Sequence, residues 1–280
     1  MRPSQAARRL GERFTLVPNF KARRGPAGDQ RGQSVGSSLE FQDRRAYQVG
    51  DDVRHLDWRA FARTDQLLVK QYEEELRPRL EILLDLSRSM SIEDEKFQTA
   101  LDLVAILIES ARRSSFVPKL VLLDDEVRPQ DLDAFFEDGV EARGTGTLDR
   151  DLGPALGLTL PNSLRVLVSD CLSPGEPEQW ITRLSRSAGQ TVVLQVLGAL
   201  DADPPRVQAE RLRDVETGEA LERIVDDGAR ARYLDRLERW NLGVERAVAR
   251  VGGQWLTVTA NAPLEDHVRR TFLASGMLEV

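Results

Sequence analysis

With 280 residues, 41% of them hydrophobic, the chain can build one large α/β domain or a domain with a structured extension, and global disorder is excluded. A single cysteine, Cys171, excludes an internal disulfide framework and points to a reducing compartment, and no apolar run approaches the roughly 20 residues that cross a bilayer. The net charge of −7 is unevenly spread: residues 1–45 hold ten Lys/Arg against four Asp/Glu, about +6, leaving 29 against 42, or −13, on the rest. Nucleic acid is not the expected partner of the basic arm, because few aromatics accompany its arginines. Peripheral contact with an anionic membrane stays open, beside the plainer reading that the arm docks on the acidic body. The first residues lack the apolar middle of a secretory signal, so a cytoplasmic location is expected.

The elements follow in chain order. A weak helix is predicted over 4–13, then a mobile Gly/Arg/Pro-rich stretch over 23–36. Residues 47–52 read as a turn, 53–63 as a mixed charged and aromatic segment, and 66–72 as a strand. Leu80-Glu81-Ile82-Leu83-Leu84 is a short apolar run that fits a buried strand. Ser91-Ile92-Glu93-Asp94 resembles a capping box, and Phe97, Leu101, Val104, Ile108 and Ala111 then recur at helical spacing. A second strand is predicted over 120–123 with a short edge return at 126–128, then a helix over 132–136. A Gly/Thr loop, 144–147, precedes a helix over 151–158. Strand 165–170, helix 176–188, strand 191–197, a hairpin over 207–225 turning at 216–219, helix 228–250, strand 254–259 and helix 264–274 complete the chain. This alternation signals a parallel sheet with helices on both faces.

Chemistry concentrates where predicted strands end. Asp85, Ser87 and Ser89 stand at the carboxyl end of the 80–85 strand, where open α/β sheets collect ligands. Asp170 ends the 165–170 strand in the same way. All these side chains offer oxygen, so Mg²⁺ or another hard divalent cation is the expected guest, with a threonine of the 144–147 loop as a further donor. Mg²⁺ wants about six ligands, and such a set leaves a position that a partner's carboxylate can fill. The plainer alternative has Ser87 and Ser89 capping the following helix and Asp170 as an ordinary strand-end acid.

A second cluster, Asp51, Asp52, Arg54, Asp57, Trp58 and Arg59, suits a loop held by charge-assisted hydrogen bonds or a docking surface, with Trp58 as an anchor buried internally or at an interface. Enzyme readings have less to draw on. His55 and His267 are the only histidines, no phosphate-binding G-x-x-x-x-G-K-[ST] loop occurs, and Cys171 has no evident base beside it. An aspartyl-phosphate mechanism would use Asp85, but its usual second acid is Ser87 here.

Asp85-Leu86-Ser87-Arg88-Ser89 resembles the metal-ion-dependent adhesion site of von Willebrand factor A domains. Residues 38–41, 45–54, 56–63 and 68–75, with the late 212–219 segment, resemble the domain-of-unknown-function 58 family over roughly 37–275. The resemblance implies a von Willebrand A-like, Rossmann-like three-layer α/β sandwich with a mostly parallel central sheet. It divides the chain into a basic flexible extension over 1–36, a family-specific segment packing on the core over 37–79, and the von Willebrand A-like domain with C-terminal α/β additions over 80–280. It implies a non-enzymatic adaptor, partnered with a MoxR-type AAA+ ATPase and client proteins in assembly or maturation. Asp85, Ser87, Ser89, Asp170 and a threonine would be the metal residues. The family pattern places that threonine where this chain has Arg150, so Thr147, or less directly Thr145, must reach back. Two alternatives stand beside this expectation: a phosphatase-like metal-dependent hydrolase in the same crevice, and a scaffold whose degenerate site binds no ion.

Overall fold

The computed structural model describes residues 1–17, 39–48, 50–74, 77–205, 207–213 and 220–280. It begins with a capped helix, α1 (Gln5–Gly11). The Ser4 hydroxyl accepts from the Ala7 N–H, and Ser4 gives its own N–H and hydroxyl to Asp102 at 2.6 and 2.9 Å. Strand β1 (Thr15–Leu16) pairs antiparallel with Leu278–Glu279 at the other end of the chain. The basic extension expected over 1–36 is therefore not flexible over its first seventeen residues. Ala7, Leu10, Phe14 and Leu16 are buried in the main core. The physical reason is an apolar stripe at positions 7, 10 and 14, hidden among arginines that stay toward solvent. Arg8 lies 4.2 Å over the Phe136 ring and pairs with Glu109. Gly11 permits the close approach, because a Cβ there would meet the backbone of Ile106 at 2.9 Å. The 23–36 stretch and the 216–219 turn lie outside the described residues.

The chain divides into two compact units, one made of Met1–Lys21 with Pro78–Val280 and the other of Ala22–Arg77. In the smaller unit, β2 (Leu39–Ala46) and β3 (Leu68–Glu74) form an antiparallel pair with a register irregularity between Phe41 and Asp43. A 3₁₀ turn (Val53–His55) and helix α2 (Trp58–Thr64) are inserted between them. The 39–46 strand was not expected, since Leu-Glu-Phe-Gln-Asp-Arg-Arg-Ala is too polar to read as one.

The larger unit is the three-layer α/β sandwich. It runs β4 (Arg79–Asp85), α3 (Asp94–Arg113), β5 (Val117–Leu123), β6 (Arg128–Gln130), α4 (Leu132–Glu137), α5 (Leu148–Gly157), β7 (Leu164–Ser169), α6 (Pro177–Ser185), β8 (Gln190–Leu197) and α7 (Ala199–Ala202). Hairpin β9 (Val207–Arg213) and β10 (Ala220–Val225) follows, then α8 (Asp227–Arg250), β11 (Gln254–Thr259), α9 (Leu264–His267) with one π turn, Val268–Leu273, and β12 (Leu278–Glu279).

The central sheet has the order β11-β8-β7-β4-β5-β6, all parallel except β6. The chain enters at β4, moves outward through β5 and β6, then returns to lay β7 on the other side of β4. The strand order reverses between β4 and β7, and in a doubly wound sheet this places the ligand crevice at their carboxyl ends. Alternation along β4 sends Leu80, Ile82 and Leu84 into one core with α1 and α3, and Leu83 into a second core with α5, α6 and α8. The three-layer α/β sandwich with a mostly parallel central sheet expected from the sequence is the fold observed. Among the described residues, no helix is long and apolar enough to cross a membrane.

The docked amino-terminal segment makes a direct prediction. Leu10→Ala should lower unfolding free energy by about 2–4 kcal/mol in chemical denaturation, the usual range for emptying a core leucine site. A free arm would tolerate the change without measurable loss.

Candidate functional site at the carboxyl end of the sheet

Four of the five expected metal residues gather at the switch point. Asp85 ends β4, Ser169 ends β7 beside it, and Asp170 follows directly. The Ser169 hydroxyl donates to Asp85 Oδ2 at 2.6 Å, and the Ser87 N–H donates to Asp85 Oδ1 at 2.8 Å. Ser87 and Ser89 hydroxyl oxygens lie 2.9 Å apart. That spacing is about the edge of an octahedron with 2.0–2.1 Å bonds, so the hydroxyl pair fits adjacent positions around Mg²⁺. The hydrogen bonds that Asp85 accepts come from neutral donors, so its negative charge is left for a cation. In donor chemistry, Asp85, Ser87 and Ser89 therefore fit a hard divalent ion.

Asp170 does not fit as a direct ligand in the same way. The buried ammonium of Lys96, on the first turn of α3, donates to Asp170 Oδ2 at 2.9 Å. The Leu172 N–H occupies Asp170 Oδ1 at 3.0 Å. Lys96 also pairs with Asp201 Oδ2 at 2.7 Å and donates to the Ser89 carbonyl at 3.1 Å. An ammonium has three N–H groups, and these three acceptors use all of them. Lys96, Asp201 and Ser169 were not expected at the site. A signal for Lys96 was present, because it stands in line with Ala100, Leu103 and Leu107 on an apolar helical stripe, where a lone charge needs a buried partner.

The threonine question resolves around the loop rather than the ion. Gly144 joins the Asp85–Ser89 segment through Gly144 N–H to the Leu86 carbonyl and Arg88 N–H to the Gly144 carbonyl. The Leu148 N–H donates to the Ser173 hydroxyl, three residues beyond Asp170. Thr147 thus lies between two anchors at this strand end, where it serves as the N-cap of α5, accepting from the Arg150 N–H. Thr145 is committed to Asp125, donating both its N–H and its hydroxyl. Arg150 is held by Asp125 and Asp151 at 3.1 and 2.6 Å, so its guanidinium is spoken for at the rim. The capping box expected at Ser91 does not form: Glu93 is the N-cap of α3, and its carboxylate instead accepts from the Ala199 and Leu200 N–H groups.

The charged block of the smaller unit is a set of loop ties. Arg45 grips Asp51 through two bonds of 2.7 and 2.6 Å, Asp52 caps the 3₁₀ turn and pairs with Arg54, and Asp57 caps α2 through the Arg59 and Ala60 N–H groups. The partner of Asp51 is thus Arg45, which the sequence reading had not paired with it. Trp58 is 60% exposed, edge-to-face with Phe61, and so is not an internal anchor. A side chain that follows the N-cap on a short helix points outward unless a neighbouring element covers it. Cys171 is fully buried, in a left-handed conformation, and burial pushes its thiol well above the usual range, as expected of an inert cysteine.

Asp85 is the acid that the network leaves short of positive charge. Burial, and then the neighbouring charge of Asp170, push its carboxyl up to about 6, against the lowering effect of its hydrogen bonds from Ser169 and Ser87. Between pH 4 and 6 the folded protein keeps a proton that the unfolded chain has lost, so this group's contribution makes stability fall as pH rises through that window. In chelator, Asp85→Asn should therefore match the wild type near pH 4 and exceed it above pH 6, by on the order of 2–3 kcal/mol. Urea denaturation of both proteins across pH 4–8 checks this; a difference that does not change with pH would contradict the assignment.

Comparison with known proteins is consistent with the first part of this chain. The family described as "Protein of unknown function DUF58" matches residues 43–130, which includes the Asp51–Arg59 block and the Asp85–Ser89 segment but neither Asp170 nor the 207–225 hairpin. No curated protein matches. Among solved structures, an aerotolerance-related membrane protein from Bacteroides fragilis aligns at 12% identity and a TM-score of 0.40, covering 69% of this chain and 97% of its own. The conserved hypothetical protein BatB from Bacteroides thetaiotaomicron aligns at 12% identity and a TM-score of 0.39, covering 71% and 98%.

Proposed function

We propose that the chain is a non-enzymatic protein-interaction module that engages a partner's carboxylate through a divalent cation at Asp85, Ser87 and Ser89. The observation that carries this reading is the state of Asp85. It is buried next to Asp170, every N–H of the nearby ammonium is spent on other acceptors, and two hydroxyl oxygens stand 2.9 Å apart on the adjoining segment. Asp85 would supply the charged ligand and Ser87 and Ser89 neutral ones. A bound Mg²⁺ would supply positive charge that one carboxylate and two hydroxyls leave underneutralised. Ser169 holds the Asp85 carboxylate in place through its 2.6 Å hydrogen bond. Thr147, whose hydroxyl caps α5, would add a further neutral oxygen only by leaving that cap.

The resemblance of the Asp85–Ser89 segment and of the 38–75 block makes a MoxR-type AAA+ ATPase the partner to test, with client proteins of that pair as the further ligands. The expected outcome is Mg²⁺ binding by calorimetry that Ser87→Ala weakens at least tenfold and Asp85→Asn abolishes. Association with a purified MoxR-type ATPase from the same cell should be lost in chelator and in Ser87→Ala alike. Metal binding that leaves this association unchanged would remove the interaction role, and phosphatase turnover abolished by Asp85→Ala would replace it with catalysis.

A further inference from the structure

The least exposed charged group near the crevice is a lysine, and its surroundings resemble those of a bound ion. Lys96 is 1% exposed. Its ammonium is saturated by three oxygens from three separate segments: Asp170 after β7, Asp201 in α7 and the carbonyl of Ser89 after β4. These segments are themselves fixed around it. Asp201 Oδ2 also accepts from the Gly198 N–H, the Tyr233 hydroxyl donates to the Asp201 carbonyl, and Gln195 donates to the Asp170 carbonyl. Glu93, three residues before Lys96, holds the start of α7 through two backbone N–H groups. Gly198 leaves room for that carboxylate, since a Cβ there would fall 1.8 Å from Glu93 Oε1.

We propose that Lys96 is the resident cation of the crevice: a tethered ammonium that takes the Asp170 half of the site and thereby sets how tightly the Asp85 half holds a divalent ion. The second clause rests on the metal reading given above; the first does not. Lys96 satisfies Asp170 permanently, so Asp170 contributes no ligand and only one carboxylate faces an incoming ion. Its positive charge also opposes a second cation nearby. Removing the ammonium should free Asp170 to act as a second anionic ligand, so affinity for the ion should rise while stability without the ion falls. A lysine whose role is packing alone predicts no gain in affinity.

The test compares the full chain as wild type, Lys96→Met and Lys96→Met/Asp170→Asn, by scanning calorimetry in chelator and by calorimetric titration with Mg²⁺. In chelator Lys96→Met should melt about 6–12 °C below wild type, the scale expected for a buried carboxylate left without its partner in a chain of this size. The double variant should recover part of that loss, because the more deeply buried of the two uncompensated carboxylates is gone while Asp201 still lacks its partner. Lys96→Met should bind Mg²⁺ at least tenfold more tightly than wild type and regain melting temperature as Mg²⁺ is added; the double variant should lose that gain. Should Lys96→Met fail to fold in chelator, folding on addition of Mg²⁺ or in the double variant supports the proposal, and failure of both overturns it. Equal melting of Lys96→Met and wild type, or an affinity for Mg²⁺ that is unchanged or lower in Lys96→Met, also overturns it. If no protein in the set binds Mg²⁺, the metal reading and the affinity role fall together, and the melting order in chelator alone decides whether Lys96 is the counter-ion of Asp170.

Discussion

Two neighbouring parallel strands that end in acids create the problem around which this part of the molecule is arranged. Hydrogen bonding of β4 to β7 fixes Asp85 and the Ser169–Asp170 pair at the same level of the sheet, in a crevice where all three are buried. Like charges at short range in such a place raise each other's cost of ionisation. The chain brings one ammonium to this strand end and spends it on Asp170 and Asp201. The first turn of α3, the turn after β8 and the small size of Gly198 all serve that placement. Asp85 receives only hydrogen bonds, and its carboxyl pushed up to about 6 is the measure of what those bonds leave unmet.

Much of the sheet was legible because buried parallel strands read as unbroken apolar runs. Leu80–Leu84, Leu120–Leu123, Arg165–Val168 and Thr191–Leu197 each lie inside an observed strand, and the 254–259 strand begins and ends where it was expected. Local pattern conveys less of the structure that distant contacts support. The helix expected over 4–13 forms as α1, but its few apolar residues and many arginines do not show that Ser4 is locked to Asp102, nearly one hundred residues away. Strand 39–46 is polar and takes its form from pairing with 68–74. At Ser91 the local pattern favoured a cap, but Glu93 found the backbone of α7 and Ser91 turned its hydroxyl to the Arg88 and Ala142 carbonyls.

The candidate site divides along the same line. Asp85, Ser87, Ser89 and Asp170 were readable because strand-end position is a local property and their oxygen chemistry is written in the residue types. The state of those residues was not readable, because it depends on Lys96 and Asp201, which arrive from α3 and from the turn after β8. Arg150 follows the same rule, since its partners Asp125 and Asp151 fix its guanidinium at the rim and the family pattern alone does not show them.

A tethered ammonium and a free divalent ion solve the charge problem differently. Lys96 cannot dissociate and needs no ion from solution, so the Asp170 half keeps its geometry whatever the surroundings supply. It carries one unit of charge with all three donors fixed, and therefore has nothing to offer a partner. An ion held by Asp85 and two neutral hydroxyls would carry excess charge and open positions, which is what a partner's carboxylate needs. On the proposed reading, dividing the crevice this way separates stability from recognition: one half is neutralised within the fold, and the other stays responsive to metal and partner. The same division explains how two acids can sit at one switch point without both depending on a cation from outside.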